Sequence, residues 1–306
     1  MDLVPDAVLN NAPELHQHRS RAETHALAFL ARYRNDQTRR GYETTLRQWF
    51  QWCRQADIDP LEAERHHIEL FARELELTGR LVSTVASKLN ALAGFYKYAA
   101  IDGLITTNPM THVARPTIQR VSTTTGLTRT EFADLLRVAV DAPPRDHALI
   151  CLLGLNGMRV SEACGIDVDD IGRHQGQRTV KILRKRGKVQ VVPLAPRTAW
   201  QVEQVMGDRV TGPLLLTRDG HRLDRKTAGR IVSGLVKQAG ISKRITPHSL
   251  RHTFVTMALD AGQAERDIAI STGHTDSRLV SYYDRGREAI GRNSTNAVAA
   301  WVEGAL

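Results

Sequence analysis

The chain has 306 residues, too many for one small core, and two domains are expected. Hydrophobic residues make up 42% and charged residues 25%, which argues against wholesale disorder, and no apolar run approaches the ~20 residues that a membrane-crossing helix needs. Lys and Arg number 42 against 33 Asp and Glu, and the resulting +9 points to a polyanionic partner, because each phosphate neutralised by a cation releases condensed counterions.

Acidic membranes are the competing polyanion, but there is no lipidation motif and no isolated basic amphipathic segment to support them. The opening residues, MDLVPDAVLNNAPELHQHRS, have neither the basic start nor the apolar stretch of a signal peptide. Cys53, Cys151 and Cys164 follow no zinc spacing. An odd, sparse set fits a reducing compartment, and all three read as small buried apolar residues. A soluble cytoplasmic protein with no membrane partner is expected.

Residues 1–20 are polar and aperiodic and read as a flexible arm, too short for a further domain. Helical patterns follow at Ala22–Tyr33, Gln37–Ala56, Leu61–Thr78 and Val82–Asp102, predicting an all-helical unit over 21–111. In the second of these, Tyr42, Leu46, Phe50 and Cys53 fall at helical spacing, with Trp49 and Trp52 beside them. Gly103 and Asn108–Pro109 stop the fourth. Residues 112–126, rich in Pro, Thr and Ser, read as a linker.

From 127 to 306 the pattern is mixed, mainly α with a small β-hairpin. Helices are expected at Arg129–Val140, Asp146–Leu155, Val160–Gly165, Pro196–Met206, Arg225–Ala239, Pro247–Ala261, Ala264–Ser271 and Ser277–Gly286. Between the third and fourth, Thr179–Leu183 and Val189–Leu194 predict a hairpin turning at Arg186–Gly187. In the tail, 287–306, Val298, Trp301, Val302 and Ala305 form an apolar stripe suited to docking, on the same protomer or on a neighbour.

No phosphate-binding glycine loop and no HExxH motif occurs. His248 and His252 lie four apart on one expected helix face, but Arg251 shares the stretch and no carboxylate completes a metal site. His252 reads as a capping or packing residue, and neither metal nor cofactor is expected. Three other places carry cations and proton carriers. In LNGMRVSEACGI, Arg159 and Glu162 share a helix face; in TPHSLRHTF, Thr246 caps a helix with Pro247 at its first position, and His248 and Arg251 share a face. In TGHTDSRLVSYYD, Gly273 ends a helix, His274 sits in the turn, and Asp276 caps a helix carrying Tyr282 and Tyr283. Singly, each is an ordinary surface ion pair or decoration. Together they hold what phosphodiester cleavage without metal requires: guanidiniums for the phosphate, a base, a further donor and a phenol. An acid for the leaving oxygen is still needed, and a lysine on the hairpin could supply it.

In order and spacing, GMRVSE, the hairpin ending RKRGKVQVVPL, PHSLRHTF and GHTDSRLVSYY resemble the blocks of tyrosine recombinases of the Xer and phage-integrase type, over roughly Leu127 to Asp284. The helical region before them is more loosely similar to the family's core-binding domain. The resemblance implies a two-domain, C-shaped DNA clamp: a core-binding domain over 21–111, a linker over 112–126 placing Arg115 and Arg120 near phosphates, and a catalytic α+β domain over 127–306. It makes Arg159 and Arg251 the phosphate clamps, His248 the general base, His274 a phosphate donor, Lys185 the general acid and Tyr283 the nucleophile. Glu162 would orient its neighbours, Lys188 competes with Lys185, and Tyr282 would pack aside. The implied partners are double-stranded DNA at specific sites and further copies of the chain, a tetramer on two sites passing through a Holliday junction, with accessory proteins left open. The role would be integration or excision of a mobile element or Xer-like dimer resolution, since no arm-site domain fits before residue 21. A type IB topoisomerase-like nicking-closing enzyme and a non-catalytic DNA-binding protein are the alternatives.

Overall fold

The computed structural model describes residues 20–116, 125–184 and 187–273. They fall in two compact units, Met1–Gln119 and Arg120–Leu306.

The first unit is helical: α1 (Arg21–Ala31), α2 (Asp36–Gln55), α3 (Arg65–Leu77) and α4 (Val82–Ile101). Polar caps fix where the first two begin. Ser20 and Glu23 exchange backbone hydrogen bonds at the start of α1, and Asn35 accepts from the Thr38 N–H at 3.1 Å at the start of α2. The third begins four residues later than its apolar pattern predicts. The Asp59 carboxylate accepts the Leu61 N–H at 2.8 Å, holding the chain in a turn, and the helix opens only after Glu64, whose N–H donates to His67 Nδ1 at 3.0 Å. The core is aromatic, with Phe29, Trp49, Phe95 and Tyr96 no more than 1% exposed. Trp49 therefore lies at the centre of the core-facing stripe of α2, alongside Leu46, Phe50 and Cys53. Its buried indole N–H donates to the Tyr96 hydroxyl at 2.8 Å, which in turn donates to the Pro60 carbonyl at 2.7 Å, so both polar tips are satisfied.

The second unit contains α5 (Arg129–Val140), α6 (Pro144–Gly154), α7 (Val160–Gly165), β1 (Ile171–His174), β2 (Gln177–Leu183), β3 (Val189–Pro193), α8 (Pro196–Met206), α9 (Arg225–Gln238), α10 (Pro247–Asp260) and α11 (Glu265–Thr272). Its core forms around α6, buried continuously from His147 to Gly154. The sheet is antiparallel in the order β1-β2-β3, with Leu183 paired to Val189 and Val180 to Val192. Val180, Ile182 and Val192 face inward, as the period of two requires. The first strand was not expected from the sequence. It joins β2 through Gln175 and Gly176, both at positive φ (47° and 80°), the conformation a two-residue hairpin turn demands.

The three cysteines are free and buried. Desolvation pushes the thiols of Cys53 and Cys151 up to about 12 and that of Cys164 to about 11, so they pack as neutral apolar groups. Among the described residues, no helix is long and apolar enough to cross a membrane.

Candidate active site

Local sequence places the first arginine. Arg159 is the N-cap of α7, and its backbone N–H donates to Glu162 Oε2 at 2.8 Å while its Nη1 donates to Oε1 at 2.7 Å. The i, i+3 pair thus closes on itself and turns the guanidinium toward the end of α11. There Nη1 and Nη2 lie 3.4 Å from the carbonyls of Thr272 and Gly273. The side chain of Arg159 stays 38% exposed and that of Glu162 only 4%.

The second arginine comes from α10. Thr246 and Ser249 cap that helix reciprocally at 3.2 Å, with Pro247 at its first position, as its sequence predicts. One turn in, Arg251 is 2% exposed and donates to the carbonyls of Gly157 and Thr272, each at 2.6 Å. It stands 3.9 Å from Glu162 Oε2. His248 precedes it on the same face but is exposed to solvent. Partial desolvation, and then the charges of Arg251 and Arg159, lower its affinity for a proton, so the neutral imidazole that can accept one prevails at pH 7. His252 is buried against Gly126, a packing position. Among the described residues, no group of three or more His, Cys, Asp and Glu side chains could hold a metal.

A third guanidinium joins them that the sequence reading missed. Arg184 is 7% exposed; Nη2 donates to the Ser271 carbonyl at 2.8 Å, and Nη1 donates to the Thr272 carbonyl and lies 3.5 Å from Glu162 Oε1. The signal was available, since Arg184 continues the inward period of Val180 and Ile182 into the run RKRGK. Three cations thus surround one carboxylate, and the Thr272 carbonyl accepts from all of them. The left-handed turn at Gly273 (φ 63°) delivers that carbonyl, and a Cβ there would come within 2.6 Å of Arg184 Cδ.

Such a centre carries surplus positive charge, with one half-buried guanidinium and a neutral imidazole at its edge, and suits a phosphate ester. Of the expected residues, the structure brings Arg159, Glu162 and Arg251 together, with His248 beside them. Lys185, His274, Tyr282, Tyr283 and the apolar tail stripe lie outside the described residues, as does Arg120. Lys188 is exposed, its carbonyl accepting the Arg184 N–H at 2.7 Å, and Arg115 donates to Asn90 at 2.6 Å.

Comparison with known proteins identifies the family and the fold. Residues 125–289 match the Phage integrase family, and residues 27–103 match the N-terminal SAM-like domain of phage integrases. The tyrosine recombinase XerC of Thermodesulfovibrio yellowstonii is 29% identical over 264 residues, covering 80% of this chain and 84% of that protein. The tyrosine recombinase XerD of Chlorobaculum tepidum is 28% identical over 273 residues, covering 84% and 89%. Among solved structures, the XerH site-specific recombinase bound to a palindromic difH substrate aligns with a TM-score of 0.72 at 18% identity, over 94% of this chain and 86% of that one. A lambda integrase tetramer bound to a Holliday junction aligns at 0.70 and 17% identity, over 87% and 77%; both likenesses concern the fold. The chain belongs to the phage integrase family, the tyrosine recombinases, which are site-specific DNA recombinases.

Proposed function

We propose that the chain cuts and rejoins duplex DNA at specific sites through a covalent bond between Tyr283 and a 3′-phosphate. The observation that carries this reading is the cluster of Arg159, Arg251 and Glu162 with a neutral His248 at its edge. Arg159, the most accessible of the three guanidiniums, binds the nonbridging oxygens first. For Arg251 to join it, the Thr272 carbonyl must yield its place to a phosphate oxygen, a charged and therefore stronger acceptor. His248 takes the phenolic proton as the Tyr283 oxygen attacks phosphorus. His274 donates to a nonbridging oxygen. The bond from phosphorus to the 5′-oxygen breaks, and Lys185 supplies the proton that leaves with it as a hydroxyl.

Cleavage conserves the ester's free energy in the phosphotyrosine, so a 5′-hydroxyl from a second duplex can reverse the step. Two such rounds on paired sites pass through a Holliday junction. The XerH complex with its DNA site and the lambda integrase tetramer on a Holliday junction support carrying this to a tetramer on two sites. The enzyme of this scheme works in the cytoplasm. In this scheme residues 21–111 form the core-binding domain, 112–126 the linker, and 127–306 the catalytic domain, whose tail docks on a neighbouring protomer.

Trapping on a nicked suicide duplex tests the assignment. Tyr283→Phe should bind the duplex and form no adduct, whereas Tyr282→Phe should form it. Reversed results move the nucleophile to Tyr282, and a wild-type protein that binds without forming an adduct defeats the reading.

A further inference from the structure

Arg184 is a buried cation where the inward face of a strand calls for an apolar residue. It follows Val180 and Ile182, 0% and 3% exposed, yet its guanidinium leaves the sheet for the end of α11. Together with Gln190, whose Nε2 donates to the Ile270 carbonyl at 3.3 Å, it puts hairpin side chains on three consecutive carbonyls, those of Ile270, Ser271 and Thr272. These belong to the last turn of a helix, where the Ile270 carbonyl also accepts from the Gly273 N–H at 3.2 Å and the negative pole of the dipole favours a cation. The arrangement is costly in stability. Burial lowers the affinity of Arg184 for its proton, and its Nε finds no hydrogen-bond partner among the described residues. An apolar side chain of similar volume would avoid both costs.

The backbone of the same residue closes the hairpin. Its N–H donates to the Lys188 carbonyl at 2.7 Å, and its carbonyl accepts from Gly187 at 3.2 Å. One residue thus ties off the hairpin loop with its main chain and fastens that loop to α11 with its side chain. A guanidinium can hold two carbonyls in a fixed fork, which an ammonium cannot. We infer that Arg184 is a positioning residue: it holds the hairpin loop, and with it the next residue, Lys185, in register with the arginine cluster and the α11 end that leads into His274. The inference rests on the reading of Lys185 as the acid for the 5′-oxygen.

The test compares single-turnover adduct formation on two nicked duplexes, one with an ordinary 5′-oxygen and one with a 5′-bridging sulfur that leaves without a proton. Wild type, Arg184→Ala, Arg184→Lys and Lys185→Ala are measured as full chains, with thermal melts alongside. Arg184→Ala should lose on the order of 10²-fold on oxygen, the lower part of what general acid catalysis contributes, and recover to within several-fold of wild type on sulfur. Arg184→Lys, which keeps the charge and loses the fork, should show the same pattern at smaller size and serves if the alanine variant does not fold. Equal losses on both substrates, or no loss on either, overturn the positioning role. If Lys185→Ala recovers on sulfur while the Arg184 variants do not, only this inference fails. If Lys185→Ala does not recover, the acid assignment fails and the inference with it.

Discussion

Glu162→Gln strikes the carboxylate on which three guanidiniums converge, and the size of its effect follows from the geometry. Two of those cations are buried, Arg184 at 3.5 Å and Arg251 at 3.9 Å, with side chains 6% and 3% exposed. At an effective dielectric of ~20, unit charges at the shorter of these separations attract by roughly 5 kcal/mol before desolvation is offset. Arg159 is closer, at 2.7 Å, but its 38% exposure screens it. Removing one partner of a buried pair costs about 3–5 kcal/mol. The amide keeps the shape and an acceptor for the Arg159 N–H, which places the loss near the lower end, about 3 kcal/mol. For a unit the size of Arg120–Leu306 that is about 6–12 °C in Tm. Calorimetry of the full chain should show the drop, and sulfate should restore more of it than its general stabilisation of the wild type, because a bound anion replaces the missing charge. A variant that melts within about 1 °C of wild type, or that gains from sulfate no more than wild type does, refutes the convergent-charge account.

Two further outcomes can be measured on the adduct-forming reaction. Because desolvation and the charges of Arg251 and Arg159 depress the proton affinity of His248, the rate should hold as pH falls to the usual histidine value of 6.5 and decline only below it; a decline centred above that value contradicts the base assignment, and an NMR titration of His248 in Arg159→Ala should move upward. Excess EDTA should leave the rate undiminished, since guanidiniums carry the charge stabilisation that a divalent ion provides in metal-dependent nucleases, and strict dependence on Mg²⁺ or Zn²⁺ would remove the mechanism.

What the sequence discloses is local, and the site shows where that limit falls. The bounds of α5, α7 and α8 match the expected ones because each start signal is local: Thr128 with Glu131 for α5, Glu162 on the Arg159 N–H for α7, and Pro196 at the first position of α8. The start of α3 departs because one carboxylate, Asp59, competes for a backbone N–H, and apolar spacing does not register that competition. Strand β1 escapes notice because four residues with one large apolar side chain give no alternation, and its turn is Gln-Gly rather than Asn-Gly. In the site, the i, i+3 pairs Arg159–Glu162 and His248–Arg251 are legible for the same reason the caps are. Their meeting is not, because it runs through the Thr272 carbonyl, 113 residues from Arg159 and 88 from Arg184. A backbone acceptor has no letter of its own, so no residue pattern announces it. Arg184 was passed over because in RKRGK it reads as one cation among several; the inward period of Val180 and Ile182 sets it apart, but the carbonyls it reaches are visible only in the fold. Cations paired within one helix can therefore be named from sequence, while Arg184 and the backbone acceptors on which the three guanidiniums meet have to be found in the fold.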